Sequence, residues 1–306
     1  MSHACRVERS ATRGGEQRLG LLAAALCALT GAFAPAVAKL TTAQASPLLV
    51  AAASNLFAAI AAAVLLAGRG ELGWLVERPR AWRLVAIAAL GTGAAHLLFY
   101  LGASRTTAIV ATLCLQVEPA YSLLLAWLVL GHRPTPRRLV AIAVLLAGIA
   151  LAVGTSAIET SLGVWFLLAT PLCWQLSHLV VLRGLTGVPE VVLTSARYLY
   201  GGLMLGVLWA AAEGPATLPA SAALWRQAPL LALQGCVLGY GGTLLWYLAI
   251  ARIDLARATA IVVPSIPLLS LVASFALLGE VATPAQWAGM VLTAVGIGVF
   301  VADERR

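Results

Sequence analysis

Residues 106–130 read TTAIVATLCLQVEPAYSLLLAWLVL, and this stretch decides the architecture. It carries a single charge, Glu118, followed at once by Pro119. The run exceeds the about 20 apolar residues that a helix needs to cross a hydrocarbon layer. Inside that layer a backbone must satisfy its own hydrogen bonds, so the run is a helix. It lacks the strict alternation of a barrel strand. Glu118 and Pro119 fall about 12 residues in, near mid-depth at roughly 1.5 Å per residue.

The rest of the chain is built the same way. Nine more apolar runs lie at 19–38, 48–67, 84–101, 139–156, 162–182, 191–212, 228–250, 257–279 and 285–302. Over 306 residues, 61% are apolar and 10% charged. A soluble chain holds about 45–50% apolar and about 25% charged residues, so a soluble enzyme is excluded. The net charge of +8 sits in short clusters between uncharged runs, which argues against a nucleic-acid partner. Ten spans put both ends on one side. That side receives the arginines of the N-terminal tail, those at 69–83 and at 133–138, and Arg183, Arg252, Arg257, Arg305 and Arg306. The other side receives only Lys39, Arg105 and Arg226. By the positive-inside bias the first side is the cytoplasm. Ala36-Val37-Ala38 has the small residues of a signal-peptide cleavage site, but the first run is longer than a usual signal core and is read as a retained span.

The segment at 257–279, RATAIVVPSIPLLSLVASFALLG, repeats the opening stretch. A shift of 148 residues brings Gly91 and Gly93 onto Gly239 and Gly241, and Pro119 onto Pro267. The same shift brings Leu130-Gly131 onto Leu278-Gly279, Thr135-Pro136 onto Thr283-Pro284, and Gly148 onto Gly296. A shift of 146 matches Leu21-Leu22-Ala23-x-x-Leu26-Cys27 to Leu167-Leu168-Ala169-x-x-Leu172-Cys173. Each half therefore holds five spans. Five is odd, so the second copy enters the membrane from the opposite side, as in secondary transporters whose halves rock about a midplane site. The expected class is an all-α polytopic membrane protein with ten transmembrane helices in two inverted five-helix repeats. Its expected divisions are a tail (1–18), the repeats (19–156 and 157–302) and a short tail (303–306).

Glu118-Pro119, Ala126-Trp127-Leu128, Leu130-Gly131-His132 and Thr135-Pro136 resemble the signature of EamA-domain proteins of the drug/metabolite transporter superfamily. Pro267, Leu278-Gly279-Glu280 and Thr283-Pro284 resemble it again. The resemblance covers nearly the whole chain as two tandem domains. It implies ten helices, cytoplasmic ends, and export or exchange of a small metabolite. The family pattern closes the fourth helix of a repeat with Leu-Gly-Glu; here the second copy keeps Glu280 and the first has His132.

Several residues stand out as candidates for a substrate or ion pathway. Pro119 and Pro267 should break their helices and free the carbonyls of Leu115 and Val263, with Pro264 freeing Ala260. Glu118 must stay protonated, pair, or face water, since an acid at that depth costs about 2.5–3.5 kcal/mol. It reads as a proton carrier or a substrate contact, against a structural ion pair or a helix-to-helix hydrogen bond. Arg197, six residues into its span, could snorkel to the interface; the functional alternative is to hold a carboxylate or pair with Glu118. His96 and His178 could relay protons or simply bond within the bundle. Asn55, Gln116, Gln175 and Gln234 are amides that join helices or line a cavity. Tyr121, Trp174, Tyr198, Tyr240, Trp246 and Tyr247 suit the walls of an organic-ligand cavity. Trp74, Trp82, Trp165, Trp225 and Trp287, near span ends, read as interface anchors.

The five cysteines form no CxxC pair, and no nucleotide-binding, metal-binding or nucleophile motif is present, so no cofactor and no metal are expected. The expected function is a secondary transporter, an exporter or exchanger in the inner or plasma membrane. Its partners are a small-molecule substrate, lipids and a coupled proton. A non-transporting sensor or subunit, and a membrane enzyme acting on lipids, are the alternatives from other classes.

Overall fold

The computed structural model describes residues 3–131, 133–154, 160–218, 221–253 and 255–304. His132 and the side chain of Trp225 lie outside the described residues. Ten helices are long and apolar enough to cross a membrane: α1 (Gly15–Thr42), α2 (Pro47–Arg69), α3 (Pro79–Arg105), α4 (Ala108–Val129) and α5 (Pro136–Val153), then α6 (Leu162–Gly184), α7 (Glu190–Ala212), α8 (Arg226–Ile253), α9 (Arg257–Leu278) and α10 (Pro284–Ala302). Among the described residues no strand occurs. Successive connections alternate between two faces. One, the Lys39 face, carries the ends of α1, α3 and α9 and the start of α4. The opposite, Arg183 face, carries the ends of α4 and α6 and the start of α9.

Matched residues end matched helices. Gly131 and Gly279 both take left-handed φ, 75° and 66°, which glycine adopts without steric cost at a helix end. Thr135 Oγ1 accepts from Arg138 N, and Thr283 Oγ1 accepts from Gln286 N, each at 3.2 Å. Gln286 Oε1 reciprocates by accepting from Thr283 N at 2.9 Å, completing a capping box that the first copy lacks.

The two halves are related by a two-fold axis, and α5 and α10 display it most directly. A Cβ placed on Gly148 would meet Gly289 O and Thr293 Oγ1 at 2.6 Å. A Cβ on Gly296 would meet Ala141 O and Leu145 N at 2.7 Å. Gly296 lies 148 residues after Gly148, while Ala141 and Leu145 lie 148 residues before Gly289 and Thr293. Exchange of partners under one fixed shift is the signature of an isologous, two-fold contact. Elsewhere the halves interleave. α1 packs on α8 and α9 of the other half, α6 packs on α3 and α4, and α2 packs on α7.

Three departures from a plain α-helix sit at mid-depth. α3 and α8 contain π-helical turns at Ala89–Ala94 and Leu233–Gly241, which hold the matched glycine pairs. α4 is interrupted at Gln116–Val117 and resumes at Glu118, with Pro119 in the new first turn. Proline costs little there, because its missing N–H is unpaired in any first turn. The expected break in α9 does not occur: helix runs unbroken over Leu255–Leu278, through Pro264 and Pro267. Proline is thus compatible with the break without being enough to cause it.

Candidate functional site

The broken turn of α4 sets Glu118 at the head of a helix segment facing α6. Gln175 Nε2 on α6 donates to Glu118 Oε1 at 2.9 Å. Two residues on, Ser177 Oγ donates to Ile87 O of α3 at 3.1 Å. The π-turn of α3 lies close by, and Gly91 makes the approach possible. A Cβ at Gly91 would sit 2.7 Å from Arg197 Nε, from Arg197 Nη2 and from Ser177 Oγ. Arg197 Nη2 on α7 donates to the Gly91 carbonyl at 2.9 Å. This corrects the snorkelling expectation. The guanidinium turns into the bundle, and its Nε is buried with no hydrogen-bond partner.

Among the described residues, Glu118 and Arg197 form no ion pair within 4.0 Å. They remain in electrostatic reach of one another, and the Arg197 charge also acts on His96, His178, Tyr198 and Tyr247. One cation and one anion thus hang from separate helices without meeting. Each is tied by one hydrogen bond, Glu118 to Gln175 and Arg197 to the Gly91 carbonyl.

Beside them runs a neutral lattice. Asn55 Nδ2 donates to Ala51 O at 2.7 Å, which leaves Asn55 Oδ1 to accept from His96 Nδ1 at 2.8 Å. That bond places the imidazole proton on Nδ1. The His96 ring meets Tyr198 edge-on at 5.7 Å, and Tyr198 meets Tyr240 at 5.6 Å. Tyr240 and Ser195 hydroxyls lie 2.8 Å apart, and those of Tyr100 and Ser54 lie 2.9 Å apart. Glycines bring the helices this close: a Cβ at Gly202 would meet Asn55 O at 2.7 Å, and one at Gly235 would collide with Ser54 O. Thr41 Oγ1 donates to Gln234 Oε1 at 3.1 Å, adding α1 and α8.

The other candidates scatter. Tyr121 packs against a buried cluster that includes Val117, Leu145 and Ile297. Trp246 packs among Ala24, Ala28 and Val262 of α1 and α9. Trp174, beside Gln175, and Tyr247 are half-buried. Pro264 and Pro267 line an apolar groove of about 380 Å³ with Leu268 and, from α10, Trp287, Met290 and Val291. Leu268 and Val291 are 57% and 60% exposed, so this groove faces the lipid and not the Glu118–Arg197 centre. Trp82, Trp165 and Trp287 are exposed, as anchors at span ends should be. The residues not foreseen are Gly91, Ser177, Ser54 and Ser195. Only Gly91 gave a signal in the sequence, through its match to Gly239.

The chain matches the EamA-like transporter family over residues 18–154 and again over 161–302. A curated relative from Streptantibioticus cattleyicolor, a probable terminal-alkyne amino-acid exporter, is 32% identical over 247 residues, covering 78% of this chain and 79% of the relative. A solved crystal structure of a protein 19% identical in sequence shares the fold, with a TM-score of 0.63 over 96% of this chain and 98% of that one.

Proposed function

The chain belongs to the EamA-like transporter family, and from that premise we propose that it is a secondary active exporter of a small amino-acid-like solute, working by alternating access in the cell membrane. The observation that carries the reading is the unpaired charge couple, Arg197 with a buried unpartnered Nε and Glu118 with only Oε1 engaged. Charges inside a bilayer are expensive unless something meets them. A zwitterion meets both. Its carboxylate takes the free guanidinium edge in a charge-assisted bond, and its ammonium takes the carboxylate. The curated relative, a probable amino-acid exporter, supports an amino-acid-like cargo. Trp174, beside Gln175, and Tyr247, within reach of the Arg197 charge, supply aromatic wall for its side chain.

Work comes from a gradient. Glu118 takes a proton once the ammonium has left, so the empty transporter switches back with that side chain neutral. The basic clusters keep the Arg183 face and both chain ends in the cytoplasm. A ligand drives the switch only through its different affinity for the two states.

Counterflow in reconstituted vesicles tests the reading. A panel of labelled apolar amino acids, each paired with its decarboxylated amine, is offered to the parent and to Arg197→Ala. We expect amino-acid counterflow in the parent and its loss in the variant, with any amine counterflow unaffected. Equal amino-acid counterflow by parent and folded variant overturns the reading, as does the absence of counterflow for every solute.

A further inference from the structure

The imidazole of His96 has one nitrogen engaged and one free. His96 stands just past the π-turn of α3, in the first turn of the helix that resumes at Ala95. Across from it on α2, Asn55 is 2% exposed, and its Nδ2 is spent on Ala51 O, one turn back in its own helix. The amide can therefore offer the ring only its oxygen, and His96 Nδ1 donates to Asn55 Oδ1 at 2.8 Å. An imidazole with its proton on Nδ1 carries a bare lone pair on Nε2. Nε2 lies on the far side of the ring from α2, and among the described residues the bond to Asn55 is the one hydrogen bond that His96 makes. Two tyrosines fix the ring edge-on, Tyr198 at 5.7 Å and Tyr100 at 6.4 Å. The Tyr100 hydroxyl is itself held by Ser54, the neighbour of Asn55.

This ring belongs to the Glu118–Arg197 centre. Gly91, whose carbonyl accepts from Arg197, lies in the π-turn that leads into His96, and Tyr198 directly follows Arg197. The Arg197 charge reaches the imidazole. Like Glu118, Gln175 and Arg197, His96 is half-buried, so part of its surface stays uncovered. The chemistry of an ammonium gives that lone pair a use. An ammonium has several N–H donors, and each one left unpaired in a water-poor site is costly. Glu118 takes one on Oε2, since its Oε1 is engaged by Gln175. A neutral acceptor can take another without adding charge to a site in which cargo and protein already balance.

We propose that His96 Nε2, fixed as an acceptor by Asn55, accepts a second N–H of the cargo ammonium, and that the transporter thereby selects primary amines over N-alkylated ones. The inference rests on the exporter reading and deepens it. Arg197 and Glu118 recognise two charges, whereas His96 separates cargoes that carry the same two charges. An N,N-dimethyl amino acid keeps its carboxylate and its positive charge but has a single N–H. It can satisfy Glu118 or His96, and the other acceptor is left without a partner. Asn55 is a positioning residue that touches no cargo. Without its amide oxygen the imidazole proton is free to move to Nε2, where it would meet the ammonium with a donor instead of an acceptor.

Two measurements on the full chain test this. In the first, the histidines are labelled with heavy nitrogen and read by magnetic resonance in lipid nanodiscs, with His96→Phe identifying the His96 signals by their loss. The parent should show a protonated Nδ1 and a bare Nε2 at His96, and Asn55→Leu should move proton to Nε2. A protonated Nε2 in the parent overturns the inference. In the second, vesicle counterflow compares each labelled apolar amino acid with its N,N-dimethyl derivative. The parent should favour the primary form roughly tenfold, the scale of one hydrogen bond to a charged group. His96→Phe and Asn55→Leu should each lose most of that preference. A preference that survives in the folded variants comes from the bulk of the methyl groups and overturns the inference. If His96→Phe does not fold, Asn55→Leu decides through the same selectivity. Counterflow with unaltered selectivity defeats the role of His96 and leaves the exporter reading standing, whereas no counterflow for any solute defeats both.

Discussion

α4 and α9 are two copies of one segment, and they have diverged in an informative way. Both end in a left-handed glycine and both are followed by a threonine-proline cap. Both carry a proline at the same repeat position. Yet α4 breaks at mid-depth and begins again on an acid, whereas α9 is continuous and has Ile266 where α4 has Glu118. What the copies share builds the frame. Where they differ, at Glu118 and Ile266, the polar centre appears. A pseudo-symmetric transporter needs similar halves so that two states have similar energies, and it needs local differences to bind one cargo.

The sharpest way to break this comparison is to force the copies to agree. Ile266 packs on Gly31, where an added Cβ would lie 3.0 Å from it, and it belongs to the apolar α1–α9 cluster. Ile266→Glu should therefore find no partner like Gln175, and cost about 3 kcal/mol. Its yield of folded protein in membranes should fall by roughly two orders of magnitude. Normal yield would mean that the α9 side is as wet as the α4 side. The frame is tested by Gly148→Leu and Gly296→Leu. Each overpacks the α5–α10 contact and should lower stability by about 2 kcal/mol. The decisive feature is equality: two-fold partners should agree within about 0.5 kcal/mol in detergent melting. A large difference would restrict the two-fold relation to the backbone.

A smaller effect separates charge from shape at the centre. Glu118→Gln keeps an acceptor for Gln175 and removes the anion. Gradient-driven transport should fall roughly tenfold, the scale of one hydrogen bond to a charged group. Exchange under equal concentrations should survive better, because the proton step is then bypassed. Transport that is unchanged across a pH range removes the proton role.

The frame was legible because apolar length, charge clusters and matched glycines each reflect a strong local constraint. Ten spans, their alternation and the capped ends follow from those alone. The centre was legible only in part. Glu118, Gln175 and Arg197 are polar groups where polar groups are costly, so they advertise themselves. Their geometry is not local: Arg197 is fixed by a carbonyl 106 residues away, in a π-turn that no composition announces. Snorkelling looked simplest because depth along the sequence says nothing of the direction in which a side chain turns. Ser54, Ser177 and Ser195 are ordinary small residues until a glycine on a neighbouring helix brings a partner to them. Pro264 and Pro267 misled for the opposite reason, since their register with Pro119 is real while their rings face α10 and the lipid.

The weakest effect should come from the residue that the sequence makes most conspicuous. Pro119 and Pro267 occupy equivalent positions, and only the helix of Pro119 is broken. The cause must lie in what differs between the copies, and that is the bond from Gln175 to Glu118, where α9 has Ile266 in the apolar α1 cluster. In a first helical turn a proline neither gains nor loses a backbone bond. Pro119→Ala should thus change melting stability by less than about 0.5 kcal/mol, as substitutions outside special sites do. Amide exchange at Gln116 and Val117 should match the parent, and counterflow should stay near parental. If instead the exchange slows and transport stops, proline makes the break after all. The continuity of α9 would then have to be credited to its tighter packing against α1, which Gly31→Ala, by pressing on Ile266, would loosen.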